Sequence, residues 1–125
     1  MNFTMQWIKE PIIFAFTFSG IVTEHMLNAM GKEGCDLAEA GQVYPIVDLS
    51  EVKKMPANLI NTVFRSIALL DFIGHQNTRV FIFIQPDKQT RLMIDTVFRN
   101  KPYKVVDTLK EAERVLLEEI IPYDT

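Results

Sequence analysis

The sequence predicts an α/β domain built on a mixed, mainly parallel β-sheet with helices packed on it. Three observations lead there. Strand-like and helix-like segments alternate with short connections, which favours parallel pairing through right-handed crossovers. The run Arg79 to Gln85 (RVFIFIQ) is apolar on both faces, the pattern of a central strand covered on both sides. Near the start, two strand-like runs are separated by Lys9-Glu10-Pro11, a turn that makes a hairpin and so adds one antiparallel strand.

Each element has its own signal. Phe3 to Ile8 is a short candidate edge strand. Ile12 to Ser19 places Phe14, Phe16 and Phe18 on one face and Ile13, Ala15 and Thr17 on the other, and Gly20 ends it. Thr23 is a fitting N-cap for a helix in which Met26, Leu27, Met30, Leu37 and Ala38 recur at helical spacing up to Gly41. Gly31 and Gly34 each cost about 1 kcal/mol against Ala in a helix interior. Either the helix breaks near Gly31, or the small residues allow close packing against the sheet. Val43 to Leu49 is the next strand, with Pro45 near its start, where an early or edge position tolerates the missing N–H. Ser50 to Pro56 reads as a polar connection.

Pro56 suits the first turn of a helix whose Leu59, Ile60, Val63, Phe64, Ile67, Leu70 and Ile73 form one apolar stripe closing at Gly74. After the strand Arg79 to Gln85, Pro86 and Asp87 open a helix with Leu92, Met93, Val97, Ile94 and Phe98 toward its inner face. Asn100, Lys101 and Pro102 stop it. Tyr103 to Val106 is the last strand. Thr108-Leu109-Lys110-Glu111 matches a capping box and starts a final helix carried by Ala112, Val115, Leu116 and Ile120 to Pro122, after which the tail is expected to fray.

Composition bounds the function. With 125 residues and 48% hydrophobic side chains there is enough for one sizeable core, so a single domain over residues 1–125 is expected. Lys and Arg number 13 against 16 Asp and Glu, a net charge of −3 with no long run of either sign, which disfavours nucleic acid and anionic membranes as partners. A lone Cys35 cannot form an internal disulfide, and the cytoplasm is the default location. Pro11 to Val22 lacks a basic n-region and is too short to span a bilayer, so no stable membrane insertion is expected of it and it reads as a buried strand.

Candidate chemistry is sparse. His25, Cys35 and His75 have a spacing that fits no zinc or catalytic motif, and no Gly-rich phosphate loop, G-x-S-x-G or HExxH occurs. No catalytic residue, metal site or cofactor is therefore expected. Asp48 ends a strand, where α/β folds place active groups, yet no second acid cluster, Lys partner or ligand set accompanies it. Ser50 either fixes the turn by local hydrogen bonds or serves as a phosphosite, and the first is favoured. Met26, Met30, Met55 and Met93 fill the core or line an adaptable pocket. The apolar faces of Ile12 to Phe18 and Val80 to Ile84 exceed what four helices readily cover. A homodimer or a hetero-partner is expected over the remainder.

A family resemblance attaches to three segments. Asp48-Leu49-Ser50-Glu51-Val52-Lys53-Lys54-Met55 resembles the D-L-S-x-V-x-x-M segment that opens the switch region of STAS domains. Gly20-Ile21-Val22-Thr23 is similar to the G-x-V-T start of the first helix in the SpoIIAA-like branch, and Asp107-Thr108-Leu109-Lys110-Glu111-Ala112 to its closing D-T-L-x-E-A. The resemblance implies a STAS/SpoIIAA-like βαβαβα topology and a non-enzymatic interaction or regulatory domain. It also implies a partner-binding face at Asp48, Ser50, Lys53, Lys54, Met55 and Asn58. In phosphorylatable members, an Asp-Ser or Ser-Ser pair and then Gly-Leu follow the Met, and a Ser there accepts phosphate. Here the stretch reads Pro56-Ala57-Asn58-Leu59, with Asn58 at or near the acceptor position. A carboxamide takes no phosphoryl group, so the usual switch of about −2 charges at a helix N-terminus is missing. The alternative implied by the same branch, through its likeness to CRAL-TRIO-type domains, is a carrier of a small hydrophobic ligand, which needs a closed apolar cavity.

Overall fold

The computed structural model describes residues 3–124. The chain runs β1 (Phe3–Lys9), β2 (Ile13–Ile21), α1 (Glu24–Glu39), β3 (Tyr44–Lys54), α2 (Leu59–Arg65), α3 (Ile67–Gly74), β4 (Phe81–Ile84), α4 (Lys88–Val97), β5 (Tyr103–Val106) and α5 (Leu109–Arg114). Wider π-type turns over Val115–Ile120 and a 3-10 turn over Ile121–Tyr123 continue α5.

The five strands lie side by side in chain order, β1 antiparallel to β2 and all later pairs parallel. When strands add in order through right-handed crossovers, every crossover helix falls on one face. Accordingly, Phe14, Phe16 and Phe18 of β2 share one core with Met30 of α1, Leu59 of α2, Phe72 of α3 and Ile94 of α4. The Phe72 ring stands among Phe14, Phe16 and Phe81 at centroid distances of 5.2–6.5 Å. The opposite face is closed by the C-terminal segment: Ala112, Val115 and Leu116 pack on Ile13, Ala15, Ile46, Ile82 and Val106. The apolar faces of β2 and β4 are thus buried on both sides, and the expected uncovered patch is absent there. The expected last helix, folded back across the sheet, covers that face together with the segment that follows it.

Helix α1 is unbroken through Gly31 and Gly34, but the small residues face α3 rather than the sheet. A Cβ at Gly34 would sit 2.6 Å from the Phe72 ring. The long helix expected over Pro56 to Gly74 is two helices, because Ser66 is extended (φ −92°, ψ 99°). Its hydroxyl accepts from the Leu69 N–H at 3.2 Å and donates to Asn28 Oδ1 at 2.8 Å, so this buried polar group is satisfied on both counts. The break rotates the apolar stripe. Phe64 and Ile67, expected inside, are 51% and 75% exposed.

Other expectations shift for local reasons. Leu92 of α4 points outward, leaving Met93, Ile94 and Phe98 as the buried face. Gly20 does not end β2 but lies within it with φ 68°, at a register irregularity that suits glycine. Pro45 lies in a central strand after all. It is tolerated because it falls in the gap between the Val43–Thr78 bridge and the β4 ladder that starts at Ile46. The tail does not fray at residue 124: the Asp124 carboxylate accepts from Tyr44 Oη at 2.6 Å and from Arg79 Nε and Nη2 at 3.1 and 2.9 Å. Among the described residues, no helix is long and apolar enough to cross a membrane.

Candidate functional site

The C-terminal ends of the parallel strands carry the candidate residues. β3 is longer than its sequence suggested: Ser50 to Lys54, read as a polar connection, is strand paired with Ser19–Ile21 of β2. The reason is a pair of register irregularities. Thr17 faces Asp48 while Ser19 faces Glu51, and Gly20 faces Val52 while Ile21 faces Lys54, so β3 carries one extra residue at each step. Asp48 fixes the first step, accepting through Oδ1 from the Ser50 N–H at 3.0 Å and the Ser50 hydroxyl at 2.7 Å. The Lys54 carbonyl then receives the Val22 N–H at 2.9 Å. On its other side β3 pairs with β4 only through Ile46–Asp48, so Ser50 to Lys54 overhangs the sheet.

After the overhang the chain dives and turns. Met55 is buried in the helix-side core and also lines the depression beside the overhang, so it shapes the face from beneath. Asn58 is left-handed (φ 53°, ψ 50°), its carbonyl accepts from the Thr62 N–H at 3.0 Å, and its exposed side chain makes no capping bond. Lys53 and Lys54 are exposed. Opposite, Gln85 is also left-handed (φ 49°), with Nε2 donating to the Asp107 carbonyl at 2.9 Å, and Asp87 caps α4 through the Thr90 N–H at 2.7 Å.

Two depressions result. One of about 100 Å³ lies between the overhang and α4, with Ser50, Val52, Gln85 and Asp87 on its walls. A larger groove of about 360 Å³ lies between the starts of α2 and α4, lined by Asn58, Leu59, Ile60, Asn61, Gln89 and Leu92. Phe64 lies one helical turn on from Ile60. The structure thus brings Asn58 beside Ile60 and Leu92, which sequence reading had assigned to the core. The Ser66 hydroxyl amid an apolar run was the available signal for this change of helical phase.

Within the core, an apolar cavity of about 40 Å³ is lined in part by Met30, Met55, Met93, Phe81 and Phe83. Ligand pockets run from roughly 300 Å³ upward, so it holds no lipid-sized molecule. Away from these strand ends, His25 is exposed and His75 Nδ1 accepts from the Asn77 N–H at 3.0 Å. Cys35 is half-buried with its thiol donating to the Ala68 carbonyl at 3.6 Å. Burial, then Asp71, Glu39 and Asp36, pushes that thiol up, which keeps it protonated and a poor nucleophile. Among the described residues, no cluster of three His, Cys, Asp or Glu could hold a metal ion.

No protein-family model matches the chain, and no curated protein sequence matches it. Solved structures do. The anti-sigma factor antagonist SpoIIAA in its unphosphorylated form is similar at a TM-score of 0.64 and 17% identity, covering 93% of this chain and 98% of that one. An uncharacterised Shewanella loihica protein with a SpoIIAA-like fold is similar at 0.60 and 13%, covering 91% of each chain. An anti-sigma factor antagonist from Mycobacterium paratuberculosis is similar at 0.57 and 13%, covering 93% and 95%. Likeness at such identities is a likeness of fold, and it spans nearly the whole chain: this protein has the mixed, mostly parallel α/β fold of SpoIIAA.

Proposed function

We propose that this chain is a non-enzymatic, cytoplasmic protein-interaction domain whose partner docks on the overhanging end of β3 and the α2–α4 groove. The observation that carries the reading is the exposure of Leu92 in a groove that also holds Ile60 and Asn58, with exposed Phe64 one helical turn on from Ile60. Large apolar side chains grouped at a polar-edged depression mark interaction sites more often than they mark defects of packing. Lys53 and Lys54 are exposed on the overhang and Lys88 at the start of α4, on a chain whose net charge is −3, which favours an acidic partner.

Phosphoryl control at the start of α2 is not part of this reading. SpoIIAA is known in a phosphorylated form, but here Pro56-Ala57-Asn58 offers no hydroxyl, Thr62 is buried, and Ser50 is bonded to Asp48. A hydrophobic-ligand carrier is the weaker alternative, since it would need a cavity several times larger than 40 Å³. The double variant K53E/K54E tests the preferred reading. Capture of a specific partner from lysate is expected to fall on the order of tenfold with unchanged far-ultraviolet dichroism. Equal capture by variant and native chain would contradict it.

A further inference from the structure

The two edges of the sheet are unlike. β5 is blunted by the usual devices: four residues, Pro102 immediately before them, and Lys104 within. β1 is seven residues long, and Phe3 to Ile8 (FTMQWI) contains no charge, proline or glycine. Among the described residues it pairs with β2 alone, so its outer row of N–H and C=O groups is open. Phe3, Met5 and Trp7 are half-buried against Phe16, Phe18 and Phe14, whereas Thr4 and Gln6 are exposed on the other face. An uncharged edge of this length invites another strand.

The geometry points to a second copy of this chain as that strand, paired β1 to β1 in antiparallel about a twofold axis through Met5. Alternate residues of β1 turn their N–H and C=O groups toward β2, so the free edge belongs to residues of one parity. An antiparallel partner must then match odd with odd and even with even. The register centred on Met5 does this within Phe3 to Trp7, before the irregularity between Trp7 and Lys9. It sets Phe3 opposite Trp7 of the second copy, Met5 opposite Met5, and Thr4 opposite Gln6. Aromatic and apolar side chains meet on one face, uncharged hydrogen-bonding side chains on the other, and no charges meet at all. The edge is therefore complementary to itself, as a twofold contact requires. The result is a continuous ten-stranded sheet, formed at an edge remote in chain order from the β3–α2 face. Its truth does not depend on the docking proposal.

Sedimentation of the full chain across a range of concentrations tests it, using two variants at exposed positions that leave the monomer fold intact by far-ultraviolet dichroism. T4K/Q6K places like charges opposite each other across the axis, and T4K/Q6E places opposite charges there. Native chain and T4K/Q6E are expected to rise from 14.4 kDa toward twice that mass with concentration, while T4K/Q6K stays at the monomer mass. A native chain that remains monomeric throughout, or a T4K/Q6K variant that dimerises as readily as the native chain, would overturn the proposal.

Discussion

A β-carbon at Gly31 would lie 2.5 Å from the Leu69 amide nitrogen, so α1 and α3 meet there backbone to backbone. This contact seats Phe72 over Phe14 and Phe16 and sets the height at which Ser66 interrupts the chain. Propensity alone would make Gly31→Ala stabilising by about 1 kcal/mol. The contact reverses the sign. Overpacking costs about 1–3 kcal/mol, and backbone atoms yield less readily than a side chain, so a net loss of stability is expected in urea denaturation. A variant as stable as the native chain would show that the two helices separate at little cost.

Ser66 joins the same pair of helices through a side chain. Ser66→Ala leaves the Leu69 N–H without its cap and Asn28 Oδ1 without its donor. A loss of about 1–2 kcal/mol is expected, read as a lower urea midpoint at unchanged slope.

At the opposite end of the sheet, Asp124 clasps Arg79 and Tyr44. The bonds from Arg79 and then Tyr44 hold the Asp124 carboxyl below the usual range. Its contribution is therefore present above the ordinary carboxylate pKa of about 4 and lost as pH falls through the lower folded value. Burial, then the bond to Asp124, pushes the Tyr44 phenol up to about 12. That contribution is present below the ordinary value near 10 and lost as pH rises through about 12. Asp124→Asn is expected to cost about 1 kcal/mol near neutrality, with the difference narrowing in strong acid. The Tyr44 step in ultraviolet titration should move down toward its ordinary value.

Met55 separates a structural role from a docking role. Because it is buried and lines the 40 Å³ cavity, Met55→Ala should enlarge that cavity and cost about 2–5 kcal/mol of stability. An alanine variant of full stability that loses partner binding would instead make Met55 a contact residue.

The fold was legible where periodicity was strong and uninterrupted. The both-sides-apolar run within Arg79 to Gln85, whose strand is the shorter Phe81–Ile84, the alternating phenylalanines of β2, the caps at Thr23 and Thr108 and the helix start at Asp87 were legible, because each expresses a local rule. The site was less legible for a physical reason. Ser50 looks like a loop residue just past the strand end at Asp48, but the two bond to each other and a polar strand continues to Lys54. Phe64, Ile67 and Leu92 fit a buried stripe by spacing alone, whereas the first two are exposed by a change of helix phase at Ser66, which caps α3 locally and bonds the distant Asn28. Local patterns predicted α5 but not that it folds back onto the second face of the sheet, and the Asp124 clasp joins residues 80 and 45 positions apart, beyond any local signal.

The central claim is that a partner docks on the α2–α4 groove. Its most direct test is site-specific photo-cross-linking in cells, with a benzophenone side chain at Asn61 on the groove wall and, as control, at Lys110 on α5. A single protein species cross-linked from position 61, absent from position 110 and lost in K53E/K54E, is the predicted result. No adduct from position 61, or the same adducts from both positions, would contradict it.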